Sequence, residues 1–358
     1  LGVMMISLLE NTNGSDVIFH VLNDGLSQTH EKKLNEIVYK YNARIKFYFI
    51  DRKDFQDFGL RDMSHVAYYK AIIPSVLDDS ISQVIFLDCD VVVKDDIKKL
   101  WDKNIKYYHL AAVQDLGFDW YNLLRIPQNA LCFNSGVMLI NLEKWRNEGT
   151  TEKVLNFIKE NSNRMKLHDQ DAFNAVLYNS WYQLHPKWNQ QSIFFKKKTN
   201  HGFHQADFNC SIAEPSIIHY TGISKPWHYF NNHPFKQEYH RYIKLSPWND
   251  FTFYEEKLIK NKRLILFGAG SLGVEILNKC RKDSFSVDYF VDNDSNKWGT
   301  ELEGLKIYSP KSLENESKNE VVVIISSSFH AEISRQLTLM GFKINENYII
   351  GSGRRIPT

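Results

Sequence analysis

The sequence has 358 residues and a mass of 42.0 kDa, which is long enough for about two domains that each bury a core. Hydrophobic residues make up 43% and charged residues 24%, a balance that is typical of globular proteins and excludes a largely disordered chain. A formal net charge of +2 argues against a dedicated nucleic-acid-binding protein, so no nucleic-acid partner is expected.

Cysteine spacing and hydropathy indicate the cellular compartment. The four cysteines lie far apart and form no CxxC pair, which favours reduced thiols over a disulfide framework or a zinc site. The sequence contains no run of about 18 apolar residues, which is the length that a transmembrane helix requires. We therefore expect a cytoplasmic protein, with peripheral association at the inner membrane face as an open alternative.

The first elements alternate between helix and strand. Residues 1–9 predict a buried helix that ends before Gly14 rather than a signal peptide, because they lack a positively charged start. Residues 17–22 and 45–50 predict strands on either side of an amphipathic helix over 27–41. This alternation predicts α/β layers around a mostly parallel twisted sheet flanked by helices.

A second α/β unit begins after an irregular segment, residues 222–262, which contains three prolines and predicts a connection rather than a domain. The predicted domains are residues 1–250 and a smaller one over 262–358. In the second domain the predicted elements are strands over 263–267, 287–291 and 321–325 and a helix over 274–281.

Two carboxylates, Asp88 and Asp90, interrupt an apolar run over 84–93 that predicts a strand buried on both faces of a sheet. Burying them as unpaired charges would be costly. If the chain turns at this point, both can reach one cation, and carboxylate oxygens suit Mg²⁺ or Mn²⁺, with an added imidazole favouring Mn²⁺. The alternative is that they end the strand and face water.

Three further motifs follow this Asp-x-Asp pair in order. They are Cys132–Trp145 (CFNSGVMLINLEKW), Leu167–Asp171 (LHDQD) and His219–Trp227 (HYTGISKPW). Together with Asp88-Cys89-Asp90, they resemble glycosyltransferase family 8, the retaining GT-A enzymes that use nucleotide-diphosphate sugars. The resemblance runs from Leu1 to about Trp227 and implies a GT-A fold for the first domain.

The resemblance also implies roles for single residues. Asp88 and Asp90 match the metal ligands of the family, and His219 matches the third. Lys225 matches the lysine that contacts the diphosphate, and Gly222 the glycine that allows close backbone approach. Asp115, Asn134 and the pair Asp169 and Gln170 match positions that hold the donor sugar, and Gln170 matches the residue near the far face of the anomeric carbon.

Lys70 falls where many members of the family carry arginine. Lysine keeps the positive charge and loses the bidentate fork, so its contact with the donor is less defined.

Taken singly, each of these residues has a structural alternative. Lys225 alone would be a solvated loop lysine, and His219 a hydrogen-bonded histidine at a strand end. Residues 134–136 (Asn-Ser-Gly) alone favour a tight turn. Asp169 and Asp171 alone suit the N-terminus of a helix, where the dipole favours negative charge.

The mechanism implied by the resemblance is substitution on one face of the sugar. A double displacement needs a nucleophilic carboxylate beyond the anomeric carbon, and Gln170 is a poor nucleophile. The leaving phosphate would help to deprotonate the acceptor, and Asp169 is the alternative nucleophile. Lys225 would stabilise the leaving diphosphate.

One feature of the family has no counterpart at the start of this sequence. The family has an initial strand and an Asp-x-Asn-Tyr-like turn that contacts uridine, whereas Leu1 already falls within the next helix. We therefore expect that the printed sequence lacks the first strand and the uridine contacts.

Two aromatic and basic stretches, residues 194–198 and 227–242, are candidates for contact with a membrane surface or an acidic partner. We favour the alternative that they form a solvated loop and a packing surface.

The second domain carries a dinucleotide-binding pattern. Gly268, Gly270 and Gly273 follow a predicted strand and open a predicted helix, and Asp292 ends the next strand in the position that binds ribose. Residues 291–304 resemble Rossmann-like domains appended to bacterial sugar-modifying enzymes. The alternative, which we favour, is that the glycines serve packing and the domain docks or forms a homo-oligomer.

These observations predict a Mn²⁺-dependent retaining glycosyltransferase, with Mg²⁺ as the other candidate metal. Galactose or glucose would pass from a UDP-sugar to a glycan acceptor on a surface glycoprotein or a lipid-linked oligosaccharide. Two alternatives stay open: a non-catalytic nucleotide-sugar-binding or assembly protein, and an NAD-dependent sugar-modifying enzyme that uses the second domain.

Overall fold

A computed structural model describes residues 1–14, 16–55, 58, 65–196, 202–222 and 224–351. The chain divides into two units: residues 1–219 with 245–247 form the first, and residues 220–244 with 248 onward form the second. The sequence predicts a boundary near 250–262, whereas the contacts of the chain place residues 220–244 with the second unit.

Helices and strands alternate in the first unit, as the sequence predicts. Its helices are α1 (Gly2–Asn11), α2 (Gln28–Lys40), α3 (Ile73–Val76), α4 (Lys98–Trp101), α5 (Tyr121–Leu124), α6 (Leu142–Asn147), α7 (Thr150–Asn161), α8 (Asp169–Leu177) and α9 (Gln205–Ala213). Its strands are β1 (Ile18–Asn23), β2 (Arg44–Phe49), β3 (Gln83–Leu87), β4 (Val91–Val93), β5 (Leu110–Gln114), β6 (Phe133–Asn141), β7 (Trp181–Gln183), β8 (Gln190–Gln191) and β9 (Ile217–His219). Short 3-10 helices cover Arg52–Phe55, His65–Ile72, Pro186–Asn189 and Ser192–Lys196.

The strands of the first unit form three sheets, with the orders β1-β2, β3-β6-β5-β7 and β4-β9-β8. The α/β class is confirmed, but parallel pairing does not dominate here. Three of the strand pairs are parallel (β1 with β2, β5 with β7, β8 with β9) and three are antiparallel (β3 with β6, β5 with β6, β4 with β9). Two of the antiparallel pairs arise because β6 runs against both of its neighbours.

The strand that precedes the Asp-x-Asp pair is shorter and less buried than the sequence predicts. The apolar run over 84–93 is split into β3 and β4, which belong to different sheets. Every residue of β3 is partly exposed, and among the described residues β3 is an edge strand whose one partner is β6. Burial on both faces is therefore wrong for β3, while β4 is fully buried.

The main core of the first unit lies between the central sheet and helices α6, α7 and α8. Trp145 and Phe173 are fully buried and meet edge to face, with ring centroids 5.7 Å apart. Helix α1 is also buried, from Gly2 to Leu8, as its apolar sequence predicts. Burial of this apolar surface supplies the main favourable free energy of folding.

The second unit contains one six-stranded sheet with the order β12-β13-β11-β10-β14-β15. Four of its strand pairs are parallel, and β12 pairs antiparallel with β13. Its helices are α10 (Lys236–Ile243), α11 (Tyr254–Ile259), α12 (Ser271–Lys282) and α13 (His330–Leu339). Its strands are β10 (Arg263–Phe267), β11 (Val287–Val291), β12 (Glu301–Leu302), β13 (Leu305–Tyr308), β14 (Val321–Ile325) and β15 (Tyr348–Ile350), and its 3-10 helices are Ser295–Lys297 and Pro310–Asn315.

The segment predicted as a connection is part of the core of the second unit. Tyr229 and Phe230 are buried in one cluster with Leu264 and Leu266 of β10. The hydroxyl of Tyr229 donates a hydrogen bond to Asp283. Lys236 donates to two backbone carbonyls, and burial lowers the pKa of its ammonium group to about 8. These aromatic residues, whose role the sequence leaves open, therefore serve packing.

Across the parts of the chain that the structure describes, none of the helices combines the length and the apolar character that crossing a bilayer requires.

We predict that Arg146 of α6 is important for the stability of the first unit. Its guanidinium group donates hydrogen bonds to five backbone carbonyls, those of Pro74, Leu77, Asp78, Asp79 and Ile81. Because a lysine cannot reproduce this planar set of donors, Arg146→Lys should lower the free energy of unfolding by about 2 kcal/mol in chemical denaturation. Arg241→Lys, at a largely exposed side chain, is the control and should change it by less than about 0.5 kcal/mol. Equal effects of the two substitutions would contradict this role.

Candidate active site

The candidate site lies where four elements of the first unit end or begin. Asp88 follows β3, residues 134–136 lie at the start of β6, Asp169 begins α8, and His219 ends β9. Because β6 runs antiparallel to β3 and β5, its start lies beside their carboxyl ends. Side chains from distant parts of the sequence are thereby brought to one edge of the sheets.

The chain turns at the Asp-x-Asp pair, between β3 and β4. The backbone amide of Asp88 donates to the carbonyl of Gly136 at 2.8 Å, which fixes the turn to β6. The carboxylates of Asp88 and Asp90 therefore both reach the same side chain, the imidazole of His219. Nε2 of His219 is 3.7 Å from Oδ2 of Asp88 and 3.4 Å from Oδ1 of Asp90.

One ligand atom from each of Asp88, Asp90 and His219 lies within 4.8 Å of the others. This is the trio that the resemblance implies as metal ligands. Two carboxylates and an imidazole form a donor set that suits Mn²⁺ and also accepts Mg²⁺. The residues therefore fit a divalent cation.

Lys70 is the buried positive charge of the site. Its Nζ lies 2.7 Å from Oδ2 of Asp169 and 3.6 Å from Oδ1 of Asp88. Burial by itself would lower the pKa of Lys70, but these two carboxylates outweigh it and raise the pKa. Burial raises the pKa of Asp88, an effect that Lys70 and His219 partly offset.

The charges of the site also fit a divalent cation. When all three are ionised, Asp88, Asp90 and Asp169 carry three negative charges and Lys70 supplies one positive charge, which leaves two negative charges beside a neutral His219. Buried charge that lacks compensation is costly, so an added cation would stabilise this arrangement.

Residues 134–136 lie in strand β6, which bulges at residues 135–137, and do not form the tight turn that they favour in isolation. Ala112 of β5 pairs with Met138, whereas the next residue, Val113, pairs with Asn134, so three residues of β6 have no partner in β5. The bulge leaves the backbone amides of Ser135 and Gly136 without partners in β5, and both donate to side chains of the site instead. Bulges often redirect side chains beside functional sites in this way.

Hydrogen bonds link the donor-site candidates into one chain. Gln170 donates from Nε2 to Oδ2 of Asp115 at 2.8 Å and accepts at Oε1 from Nδ2 of Asn134 at 3.0 Å. Nδ2 of Asn189 donates to Oδ1 of Asn134 at 2.9 Å. Nδ1 of His219 lies 2.9 Å from Oδ1 of Asn189. The structure thus brings together Asp115, Asn134, Gln170 and the metal-ligand candidate His219.

Sequence reasoning missed three residues of this site: Asn189, Ser135 and Gly136. The hydroxyl of Ser135 donates to Asp169 at 3.0 Å and accepts from Nζ of Lys70 at 3.2 Å. Asn189 precedes β8, whose register with β9 brings it to His219, and no local pattern in the sequence predicts that pairing. The Asn-Ser-Gly motif offered a signal for the other two.

Gly136 is required by the close packing of the two ligand candidates. A Cβ atom at this position would lie 2.6 Å from Oδ2 of Asp88 and closer still to the ring of His219. Such a contact is far inside the van der Waals distance, so any larger residue displaces one of the two side chains.

Asp169 and Asp171 both lie in the first turn of α8, as their residue types predict. Asp171 is fully buried, accepts from the backbone amides of Lys166 and Leu167 and from the indole of Trp120, and so holds the preceding loop. Burial raises the pKa of Asp171, although these hydrogen bonds oppose the shift. Asp171 therefore supports the loop, while Asp169 faces Lys70.

Gly222 and Lys225 lie in the second unit. Gly222 has a φ of +93°, which favours glycine, and a Cβ there would meet open space. Nζ of Lys225 donates to the carbonyl of Tyr220 at 2.7 Å. Their roles toward a donor diphosphate stay predictions.

The glycine pattern of the second unit is explained in part by packing. A Cβ at Gly268 would lie 2.6 Å from the carbonyl of Ser326, and one at Gly273 would clash with the carbonyl of Gly268. A Cβ at Gly270, which precedes α12, meets open space.

The carboxylate of Asp292 is already engaged within its own unit. Oδ2 of Asp292 accepts from the amide of Ala269 at 2.7 Å and from Nζ of Lys297 at 3.0 Å. Nucleotide binding by Gly268, Gly270, Gly273 and Asp292 stays a prediction, and these contacts favour the packing alternative.

The stretches proposed for membrane contact contain buried aromatic residues. Phe194, Tyr229 and Phe230 are buried, and Lys197 and Lys198 lie outside the described residues. Contact with a membrane or an acidic partner stays a prediction.

This chain is similar in sequence to known bacterial proteins and in fold to a solved glycosyltransferase structure. General stress protein A of Bacillus subtilis (strain 168) is 38% identical over 259 residues, which cover 70% of this chain and 90% of that protein. Lipopolysaccharide 1,2-glucosyltransferase of Escherichia coli is 27% identical over 260 residues, or 70% of this chain and 76% of the relative. The crystal structure of galactosyltransferase LgtC in complex with donor and acceptor sugar analogs matches with a TM-score of 0.63 at 21% identity, and covers 72% of this chain and 95% of its own.

Fold and site together define a glycosyltransferase of the GT-A fold. The chain belongs to glycosyl transferase family 8, whose family model matches residues 1–231. A second family model, described as C2185-like, N-terminal, matches residues 260–350. The family and the GT-A fold expected from the sequence are thereby confirmed.

We predict that Gly136→Ala disrupts the site. The added methyl group must push apart Asp88 and His219, and overpacking of this kind should lower the free energy of unfolding by about 1–3 kcal/mol in chemical denaturation. The control is Gly270→Ala, at a glycine with open space around its Cβ, which should change it by less than about 0.5 kcal/mol. If the first substitution is as neutral as the second, the close packing described here is incorrect.

Proposed function

We propose that this protein is a retaining glycosyltransferase that moves galactose or glucose from a UDP-sugar to a glycan acceptor, with Mn²⁺ or Mg²⁺ at Asp88, Asp90 and His219. The observation that carries the proposal is the convergence of these three side chains within 4.8 Å, next to the buried Lys70 and Asp169. Relatives named as lipopolysaccharide glucosyltransferase and galactosyltransferase support the choice of glucose or galactose.

Charge stabilisation is the main task of such a site. The bond that breaks joins the anomeric carbon to an oxygen of the diphosphate, on which negative charge develops. Asp88, Asp90 and His219 would hold a divalent cation, which would supply positive charge to that diphosphate. Lys225 is proposed to add a second positive charge, with Gly222 allowing close backbone approach.

The remaining residues of the site would orient the sugar. Asp115, Asn134 and Gln170 are joined by hydrogen bonds of 2.8 and 3.0 Å, so each one restrains its neighbour. A donor held in one orientation loses little entropy at the moment of reaction. Lys70, which is only 7% exposed, fixes Asp169 beside them through the 2.7 Å ion pair.

Same-face substitution agrees best with these contacts. Both functional atoms of the Gln170 side chain are engaged in hydrogen bonds, and an amide is a poor nucleophile. Oδ2 of Asp169 is engaged by Lys70 and Ser135, which reduces its nucleophilicity. The acceptor hydroxyl oxygen would bond to the anomeric carbon as the diphosphate leaves, and the hydroxyl proton would pass to a phosphate oxygen, giving UDP and the glycoside.

The two alternative functions predict different behaviour. A protein that only binds nucleotide sugars would retain UDP-sugar without releasing UDP. An NAD-dependent enzyme would act through the second unit, where the engagement of Asp292 by Ala269 and Lys297 disfavours ribose binding.

We predict that UDP release from UDP-galactose or UDP-glucose depends on a divalent metal and on Asp88. A chelator should abolish release and added Mn²⁺ should restore it. Asp88→Asn removes one charged ligand and should lower the rate about 100-fold or more, since metal stabilisation of the leaving group contributes several kcal/mol. A coupled UDP assay measures both effects.

Asp102→Asn is the matched control for that experiment, because Asp102 is an exposed carboxylate paired with Lys98 in the same unit. It should leave the rate unchanged. UDP release that persists in the chelator, or binding of donor without any release, would count against the proposed transferase.

We also predict that no glycosyl group becomes attached to Asp169 during turnover. Incubation with donor in the absence of acceptor, followed by mass spectrometry of the peptide that contains Asp169, should show an unmodified residue. A trapped adduct on Asp169 would instead establish double displacement.

We predict that Gln170→Ala lowers kcat by about 10- to 100-fold, since it removes the link between Asp115 and Asn134 that is proposed to orient the donor.

A further inference from the structure

The hydrogen-bonded chain from Asp115 to His219 has a defined direction. Side-chain amides can be placed in two orientations that exchange oxygen and nitrogen, so the direction must be deduced from their partners. Two partners in this chain are backbone amides, which can only donate. Ser135 N lies 3.1 Å from Oε1 of Gln170, and Gly136 N lies 3.1 Å from Oδ1 of Asn134.

These two donors settle both orientations. The atom of Gln170 that faces Ser135 must be its carbonyl oxygen, which leaves its NH₂ group for the carboxylate of Asp115. The atom of Asn134 that faces Gly136 must likewise be its carbonyl oxygen. Its NH₂ group then donates to Gln170, in agreement with the contact of 3.0 Å.

The same reasoning extends to the histidine. Oδ1 of Asn134 is an acceptor, so the group of Asn189 at 2.9 Å from it must be the NH₂ group. Asn189 therefore presents its carbonyl oxygen to Nδ1 of His219. Only a protonated Nδ1 can donate to that oxygen, and in a neutral imidazole the lone pair is then on Nε2, which faces Asp88 and Asp90.

We propose that Asn189 is a positioning residue that holds His219 in the Nδ1-protonated tautomer, with the Nε2 lone pair directed at the cation site. Asn189 is fully buried at the end of the 3-10 helix Pro186–Asn189, so its side chain cannot turn to solvent. Partners of this kind, beyond the direct ligands, tune metal affinity. The inference rests on the proposed function only for the purpose of the cation site, which is glycosyl transfer.

The tautomer is measured on the metal-free protein. Nitrogen-15 NMR of the imidazole groups, with His219→Gln used to assign the signal, distinguishes a protonated Nδ1 from a protonated Nε2. We expect a protonated Nδ1 in the wild-type protein at a pH where His219 is neutral. A protonated Nε2 in the wild-type protein would overturn the proposal without the need for any variant at position 189.

The variant Asn189→Leu removes the acceptor at nearly the same volume. We expect protonation to shift toward Nε2 and the Kd for Mn²⁺, measured by titration calorimetry without any sugar, to rise about 10- to 100-fold. The matched control is Asn161→Leu, a buried asparagine of α7 that bonds to Phe157 and Arg164. It should leave the tautomer and the Kd unchanged.

The outcomes separate this inference from the proposed function. An unchanged Kd for Mn²⁺ in folded Asn189→Leu protein would overturn the positioning role. If the tautomer and the Kd change as expected but the wild-type protein transfers no sugar, the proposed function fails and the role of Asn189 stands.

Discussion

The bulge in β6 is the constraint on which the candidate site depends. It frees the backbone amides of Ser135 and Gly136 from sheet pairing, and each amide then binds a side-chain oxygen of the site. Because buried backbone amides must be paired, this arrangement is enforced by the cost of leaving them unsatisfied. The orientations of Gln170 and Asn134 follow from it.

The same bulge also explains the position of the Asp-x-Asp turn. The carbonyl of Gly136 accepts from the amide of Asp88, and only a glycine leaves room between Asp88 and His219. One short segment of β6 therefore fixes the Asp-x-Asp turn, the space beside the imidazole of His219 and the side-chain amides of Gln170 and Asn134. A site built on packed strands in this way keeps its geometry better than one carried by loops alone.

Local patterns predicted the regular elements of this protein well. In the second unit the strands over 263–267, 287–291 and 321–325 have the bounds that the sequence predicts, because each is a short apolar run between clear breakers. The Asp-x-Asp pair likewise indicates a candidate cation site, because burying two unpaired carboxylates in an apolar run would be costly. The roles proposed for single residues toward the metal, the sugar and the diphosphate come from the family resemblance, since no single motif distinguishes them from structural alternatives.

What the sequence left open depends on contacts between distant residues. The Asn-Ser-Gly segment suits a turn by composition, and only the register of β6 against β5 places its Ser135 and Gly136 in a bulge. Asn189 and His219 are 30 residues apart and meet through the register of β8 and β9. Residues 220–244 contain prolines that are typical of linkers, yet their aromatic side chains Tyr229 and Phe230 pack in one buried cluster with apolar residues of β10.

The most direct test of this account is anomalous diffraction from crystals of the protein soaked with Mn²⁺ and UDP. The account predicts a manganese peak bonded to carboxylate oxygens of Asp88 and Asp90 and to Nε2 of His219, with Nδ1 of His219 still facing Asn189. A peak elsewhere, or a histidine that binds through Nδ1, would contradict it.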